Sequence, residues 1–270
     1  MAEFDQTTAS RAVLIEVANV LGAFRNHLVV VGGWVPELLF PNQEHIGSLD
    51  VDLAVAPTAL SANAYQTICA RMRDAGYSHH TTPTRFSKKV AGASEPVKVD
   101  LISGEYSQGE KSISVQVNEL QINSVRGIDL AFAGCDEMEI TGRTPDGSVN
   151  AVRARVVRPE VFVLIKAFAL DERMKEKDAY DIAFVLHHFE PTLATLAERM
   201  QPHVVTGLGR EAFEILRAKF AAINSVGPVG AAQAVPGTKH DIEQLQRAAY
   251  EDAQELFHWV DSLNRPNLLE

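Results

Sequence analysis

The sequence has little of what secreted, membrane-spanning or nucleic-acid-coating proteins are built from. Only two of its 270 residues are cysteine, Cys69 and Cys135. Two such isolated thiols supply neither a disulfide framework nor metal-ligand spacing. No run approaches the ~20 consecutive apolar residues that a bilayer-crossing helix needs. The opening MAEFDQTTAS lacks a basic segment followed by an apolar stretch, so the expectation is a cytoplasmic protein with no membrane partner. An excess of positive charge is missing too. Lys and Arg number 25 against 35 Asp and Glu, a formal net charge of −10. A field of that sign repels nucleic acid at long range and argues against a basic, sequence-independent DNA binder.

What is present is the composition of an ordinary globular protein. Apolar residues make up 46% and charged residues 22%, enough apolar surface to offset the ordering entropy. The length suits one large domain or two modest ones.

Two textures divide the chain. In the first half, residues 9–24 place apolar side chains at helical spacing, and Leu28–Val31 is a short β-rich run ending at Gly32-Gly33. Trp34–Phe40 reads as a short helix with Pro36 in its first turn. Leu49–Val55 and Val97–Ile102 alternate as strands, as does Ser112–Val117, and residues 59–75 read as an amphipathic helix. Met138–Thr141 reads as a short edge strand. From Arg158-Pro159-Glu160 onward the pattern is helical, with runs at about 159–172, 175–189, 192–200, 208–223 and 239–264. The stretch SVGPVGAAQAVPG reads as a mobile loop or linker. The expected fold is α+β, with a mixed-sheet domain over 1–150 and a helical domain over 151–270.

Within this frame, carboxylates stand where strands rarely carry them. Asp50 and Asp52 are two apart, so on a strand they share a face, roughly 6.6–6.8 Å apart along the chain. Val51, Leu53 and Val55 take the other face. Asp is disfavoured in strands and like charges repel, but a hard cation such as Mg²⁺ makes such a pair favourable. In VKVDLI, Asp100 repeats the theme opposite Val99 and Leu101. If the two strands are neighbours, the three carboxylates form a cluster suited to Mg²⁺ ions that clamp a phosphoryl transfer. The bland alternative is a set of solvent-facing strand carboxylates. Gly32 and Gly33 add a turn where phosphate can approach backbone N–H groups, or a plain strand-to-helix turn.

The order strand, Gly-Gly, helix, D-x-D, strand with Asp resembles the nucleotidyltransferase superfamily that shares its catalytic fold with DNA polymerase β. The resemblance implies catalytic and metal-binding roles for Asp50, Asp52 and Asp100, and nucleotide binding at Gly32, Gly33 and Ser48. Gly-Gly-Trp is similar to aminoglycoside nucleotidyltransferases, which implies a small hydroxylated acceptor. Residues 166–181, KAFALDERMKEKDAYD, resemble the helical signature of AbiEii-type toxins of type IV toxin–antitoxin systems. That branch implies NTP and RNA, tRNA being one candidate, as substrates, an antitoxin protein as partner, and nucleotide-binding roles for Lys166, Arg173, Lys177, Asp178 and Asp181. The stretch His45–Leu49 carries no arginine, where this branch often has one shortly before D-x-D. That departure keeps a non-catalytic nucleotide-binding module open as an alternative.

The helical motif also has an ordinary reading. Lys166 interrupts the apolar stretch VFVLI-K-AFAL, so it must snorkel, meet an acidic partner or meet an anionic ligand. Arg173, Lys177 and Asp181 at i,i+4 spacing make either a phosphate-holding face or a solvated face laced with ion pairs. Arg85, Lys88 and Lys89 form a local basic patch, either an RNA contact or a solvated strand face. Trp34 reads as a core residue, and His187-His188 as surface or packing residues.

Overall fold

The computed structural model describes residues 4–56, 62–79, 84–107, 110–112, 114–117 and 120–264. The chain divides into two compact units, Met1–Leu38 with Gly47–Val157, and Leu39–Ile46 with Arg158–Glu270. The fold is α+β with a helical C-terminal region.

The first unit opens with α1 (Gln6–Val20). Asp5 caps it, its carboxylate accepting from the Thr8 amide, as expected for an acidic N-cap. The chain continues through β1 (Leu28–Val31), a 3₁₀ turn over Gly32–Trp34, and α2 (Val35–Leu39). It goes on through β2 (Val51–Val55), α3 (Ala62–Asp74), β3 (Ser78–His79), β4 (Arg85–Lys88) and β5 (Val97–Gly104). Two hairpins follow, β6 (Ser114–Val117) with β7 (Leu120–Val125), and β8 (Cys135–Arg143) with β9 (Val149–Val157). The sheet order is β3-β4-β5-β2-β1-β9-β8, and β7 pairs with the end of β5. Pairing is mixed: β2 runs antiparallel to β1 and parallel to β5, while β4 runs antiparallel to β5.

Alternation along the central strands decides which face is core. Val51, Leu53, Val97, Val99 and Leu101 are buried, whereas Asp52, Lys98 and Asp100 are half-buried. Helix α1 packs across β2, β5, β8 and β9. Trp34 is a core residue at 1% exposure, and its indole N–H donates to Ser10 Oγ at 3.0 Å. That satisfies the polar end of a buried aromatic.

The second unit contains α4 (Pro159–Arg173), α5 (Glu176–His188), α6 (Leu193–Val204), α7 (Gly207–Lys219), α8 (Val226–Gln233) and α9 (Lys239–Asn264). Pro159 stands in the first turn of α4, where its missing N–H costs nothing. Within this unit α5 packs against α4, α8 and α9. The segment 39–46 is also part of it: Phe40 meets Phe184 edge-on at 6.2 Å, and the His45 ring stacks on Tyr180 at 5.3 Å. Among the described residues, no helix is long and apolar enough to cross a membrane.

Several elements differ from the sequence-based expectation. The strand expected from Leu49 begins at Val51. Its partner β1 ends at Val31, opposite Asp52, so Asp50 has no β1 residue to pair with on that side, and Leu49 is 55% exposed. The expected edge strand at 138–141 is the middle of a nine-residue strand paired with β9, which the sequence reading did not contain. SVGPVGAAQAVPG is not a linker, since α8 forms there with Gly227, Pro228, Gly230, Ala231 and Ala232 buried. Small side chains let this helix pack closely: a Cβ at Gly230 would stand 3.2 Å from Ala179 Cβ of α5. Helix α3 accounts for residues 62–74 of the expected 59–75, and residues 59–61 lie outside the described residues, as does Ile113 of the SISVQV strand.

Candidate active site

Three strands carry the carboxylate face of the first unit. Asp52 of β2 is the register partner of Asp100 on the parallel strand β5, and Asp100 is in turn the partner of Arg85 on the antiparallel strand β4. Register partners point to the same side of a sheet, and neighbouring strands lie ~4.8 Å apart. Asp52 and Asp100 are therefore lateral neighbours on one face, and Arg85 completes the row. Asp50 precedes β2 by one residue.

The glycine turn meets this row from the other side. Val31 is the register partner of Asp52, and the next residue, Gly32, has φ +74°. That is a left-handed conformation that glycine adopts without steric cost. A Cβ at Gly32 would fall on Asp52 Oδ2. The turn and the carboxylate thus touch because position 32 has no side chain. Gly33 and Ser48 are buried in the same unit.

Arg85 was not among the expected site residues beyond a generic basic patch, and the structure gives it a definite partner. Its Nε donates to Asp100 Oδ1 and its Nη2 to Asp100 Oδ2, both at 2.7 Å, a two-pronged geometry matching carboxylate to guanidinium. The guanidinium is held above its usual pKa range. Asp100's hydrogen bonds are the first cause, working against burial, with Asp100, Asp50 and Asp52 adding as nearby charges. All three carboxylates therefore act on one arginine. Lys88, from the same basic patch, instead pairs with Glu16 at 2.6 Å.

Carboxylate oxygens are the donors that hard divalent cations take, and Mg²⁺ is commonly held by one or two of them together with substrate phosphates. The donor set at Asp50, Asp52 and Asp100 fits that chemistry. Among the described residues, no group of three or more His, Cys, Asp or Glu side chains is arranged to hold a metal ion. In this conformation both oxygens of Asp100 are engaged by Arg85.

The residues of the helical motif form a cluster within the second unit. Lys166 is 6% exposed, and its Nζ lies 2.8 Å from Asp178 Oδ1 and 2.7 Å from Asp181 Oδ2. Arg173 Nη2 donates to both oxygens of Asp178, at 2.8 and 2.9 Å. Lys177 Nζ donates to Asp181 Oδ1 at 2.8 Å. Three cations share two carboxylates, so one positive charge is in excess. The acidic partners answer the question Lys166 raised, since a buried ammonium needs them.

His45 was also missing from the expected site. Its side chain is fully buried, with Nε2 3.0 Å from Asp181 Oδ1. Burial would raise the Asp181 carboxyl, but Lys166, the His45 hydrogen bond and Lys177 more than offset it and hold it below the usual carboxylate range. Burial likewise opposes the charge on Lys166, which the two aspartates raise above its ordinary value. Lys177 ends below its ordinary value, first through burial and then through Lys166, against the pull of Asp181. His187 pairs with Asp252 at 3.0 Å and His188 lies against Phe184 at 4.4 Å, roles that packing accounts for.

A family model described as Nucleotidyltransferase matches residues 9–204 of the chain. No curated protein matches it. Among solved structures, the chain is similar to the antibiotic-resistance factor ANT(2'')-Ia, determined in solution. Identity is 13%, over 92% of this chain and 95% of that one, with a TM-score of 0.31. A TM-score that low adds nothing to the family match.

Proposed function

The chain belongs to this nucleotidyltransferase family, and we propose that it moves a nucleoside monophosphate from an NTP to an acceptor hydroxyl at the carboxylate row of the first unit. The observation that carries the reading is the adjacency of Gly32, Asp52 and Asp100 on one sheet face. Asp50 and Asp52 would hold Mg²⁺. When bound, that ion supplies positive charge to the phosphate oxygens.

The chain's own residues do the rest. The Gly32–Gly33 turn leaves backbone open to a phosphate. Asp100, beside Asp52, receives the acceptor's proton or joins the cation site. The acceptor oxygen forms a bond to the α-phosphorus, the bond to the bridging oxygen breaks, and pyrophosphate leaves. Such catalysis is mainly positioning and charge stabilisation. In the second unit, the excess positive charge of the Lys166–Arg173–Lys177 cluster suits a phosphate-bearing substrate. Arg173 and Lys177 are its solvent-reaching members, at 49% and 36% side-chain exposure. Asp178 and Asp181 orient them.

For the acceptor, the resemblance of residues 166–181 to AbiEii-type toxins supports RNA, with tRNA one candidate, and an antitoxin protein as partner. The net charge of −10 favours a second reading, a small cationic hydroxylated acceptor, because it repels a polyanion. Incubation with each α-labelled NTP, Mg²⁺, and either total RNA or a panel of hydroxylated amines separates the two. Label entering the RNA pool supports the first, and label entering an amine supports the second. Mg²⁺-dependent NTP binding without any labelled product would replace both with a non-catalytic nucleotide-binding module.

A further inference from the structure

The carboxylate row ends in a basic residue, Arg85, that takes no part in the transfer step. Arg85 is not a surface charge that happens to lie nearby. It is the register partner of Asp100, it holds both oxygens of that carboxylate at 2.7 Å, and its side chain is 40% exposed. A guanidinium in that position offers Asp100 what a divalent cation would offer, a positive charge bridging two oxygens. Each oxygen keeps a second lone pair, but a guanidinium and a divalent cation on one carboxylate repel each other, so each weakens the other's hold.

We propose that Arg85 is a built-in counter-ion that competes with a divalent cation for Asp100, so that Asp100 enters the cation site only as Arg85 lets go. The inference rests on the reading of Asp50, Asp52 and Asp100 as the cation site. It has three consequences. Without nucleotide, the protein holds divalent cations weakly, because one carboxylate is already neutralised. Shortening Arg85 frees Asp100 and strengthens cation binding. A lysine at 85 keeps the charge but loses the planar two-pronged fit, so it also strengthens binding, by less than alanine does.

The test is a titration of the full-length protein with Mn²⁺ in the absence of nucleotide, followed by the loss of the free-ion electron paramagnetic resonance signal. Arg85→Ala is expected to tighten Mn²⁺ binding by about tenfold, the low end of what residues that orient metal ligands control. Arg85→Lys is expected to tighten it by less, and neither change is expected to have any effect in an Asp100→Asn background. Unchanged affinity in Arg85→Ala, or an equal gain with Asp100→Asn present, would overturn the proposal, the latter because it reduces Arg85 to a general charge. Should the alanine variant fail to fold, the lysine variant decides alone, by the same comparison. Asp52→Asn tests the underlying site separately. If it leaves Mn²⁺ binding unchanged, the cation site itself is elsewhere. If it weakens binding while the Arg85 variants do nothing, only the competition fails.

Discussion

Gly32 and Asp52 touch because one of them has no side chain: the space a Cβ would take at Gly32 is occupied by Asp52 Oδ2. The backbone at Gly32 is also left-handed, at φ +74°. A substitution there meets two obstacles at once, strain in the turn and displacement of the carboxylate. Gly32→Ala is expected to cost about 1–3 kcal/mol of stability, the range for a non-glycine residue held in such a conformation. Nucleotidyl transfer should fall by more than about a hundredfold, the scale of losing one well-placed electrostatic contact. Urea denaturation and initial-rate measurements on the same preparation check both parts.

The Asp181 cluster carries a prediction about acid stability. Its carboxyl is held below the usual range in the folded protein, so its contribution is fully present above the unfolded value, near pH 4. That contribution is lost as pH falls from there through the folded value. Asp181→Asn strands Lys166 with a single carboxylate, removes the negative charge that Lys177 and His45 face, and leaves one acceptor oxygen where there were two. Breaking a buried pair of this kind costs about 3–5 kcal/mol. The variant should be destabilised by that order at pH 7, and the gap from wild type should narrow below pH 4. Chemical denaturation midpoints at pH 7, 4 and 3 read this directly.

Packing of α8 on α5 depends on Gly230, where even a methyl group would press on Ala179 at 3.2 Å. Gly230→Leu overfills that contact and is expected to cost about 1–3 kcal/mol. Because the change lies in the second unit, protection should fall first in α5 and α8, while β2 and β5 of the first unit keep theirs at the same denaturant concentration. Hydrogen exchange resolved by segment distinguishes this from uniform destabilisation.

Chelation tests the oxygen-donor reading of the carboxylates. Removing divalent cations should abolish transfer while leaving the melting temperature almost unchanged, because the sheet beneath the carboxylates rests on an apolar core that includes Val51, Leu53, Val99 and Leu101. Restoring Mg²⁺ should restore activity. Thermal scans and rate measurements with and without chelator give both answers.

Much of this site could be read in the sequence because strands write a period of two. Alternation in LDVDLAV and VKVDLI separated core residues from Asp52 and Asp100, and only the pairing of the two strands had to be supplied by the fold. Pairing is a non-local property. Arg85 is 15 residues from Asp100, and His45 is 136 residues from Asp181. The Arg85 contact left a weak trace, an opposite charge on the neighbouring alternating stretch RFSK, whereas no local pattern announces His45. The α8 segment has the composition of a linker because glycine, proline and alanine serve close packing as readily as they serve loops. Strand β9 writes the same period, with Arg153 and Arg155 alternating with buried Val152, Ala154 and Val156, so its pattern is as legible as those of β2 and β5.

The central claim is that Asp52 belongs to the machinery that transfers a nucleoside monophosphate. Single-turnover reactions with NTP labelled at either the α- or the γ-phosphate, run with wild type and Asp52→Asn, address it most directly. The expected result is α-label on the acceptor and γ-label in released pyrophosphate, both lost in the Asp52→Asn variant while its melting temperature stays near wild type. Transfer of the γ-label to the acceptor, or undiminished transfer by Asp52→Asn, would contradict it.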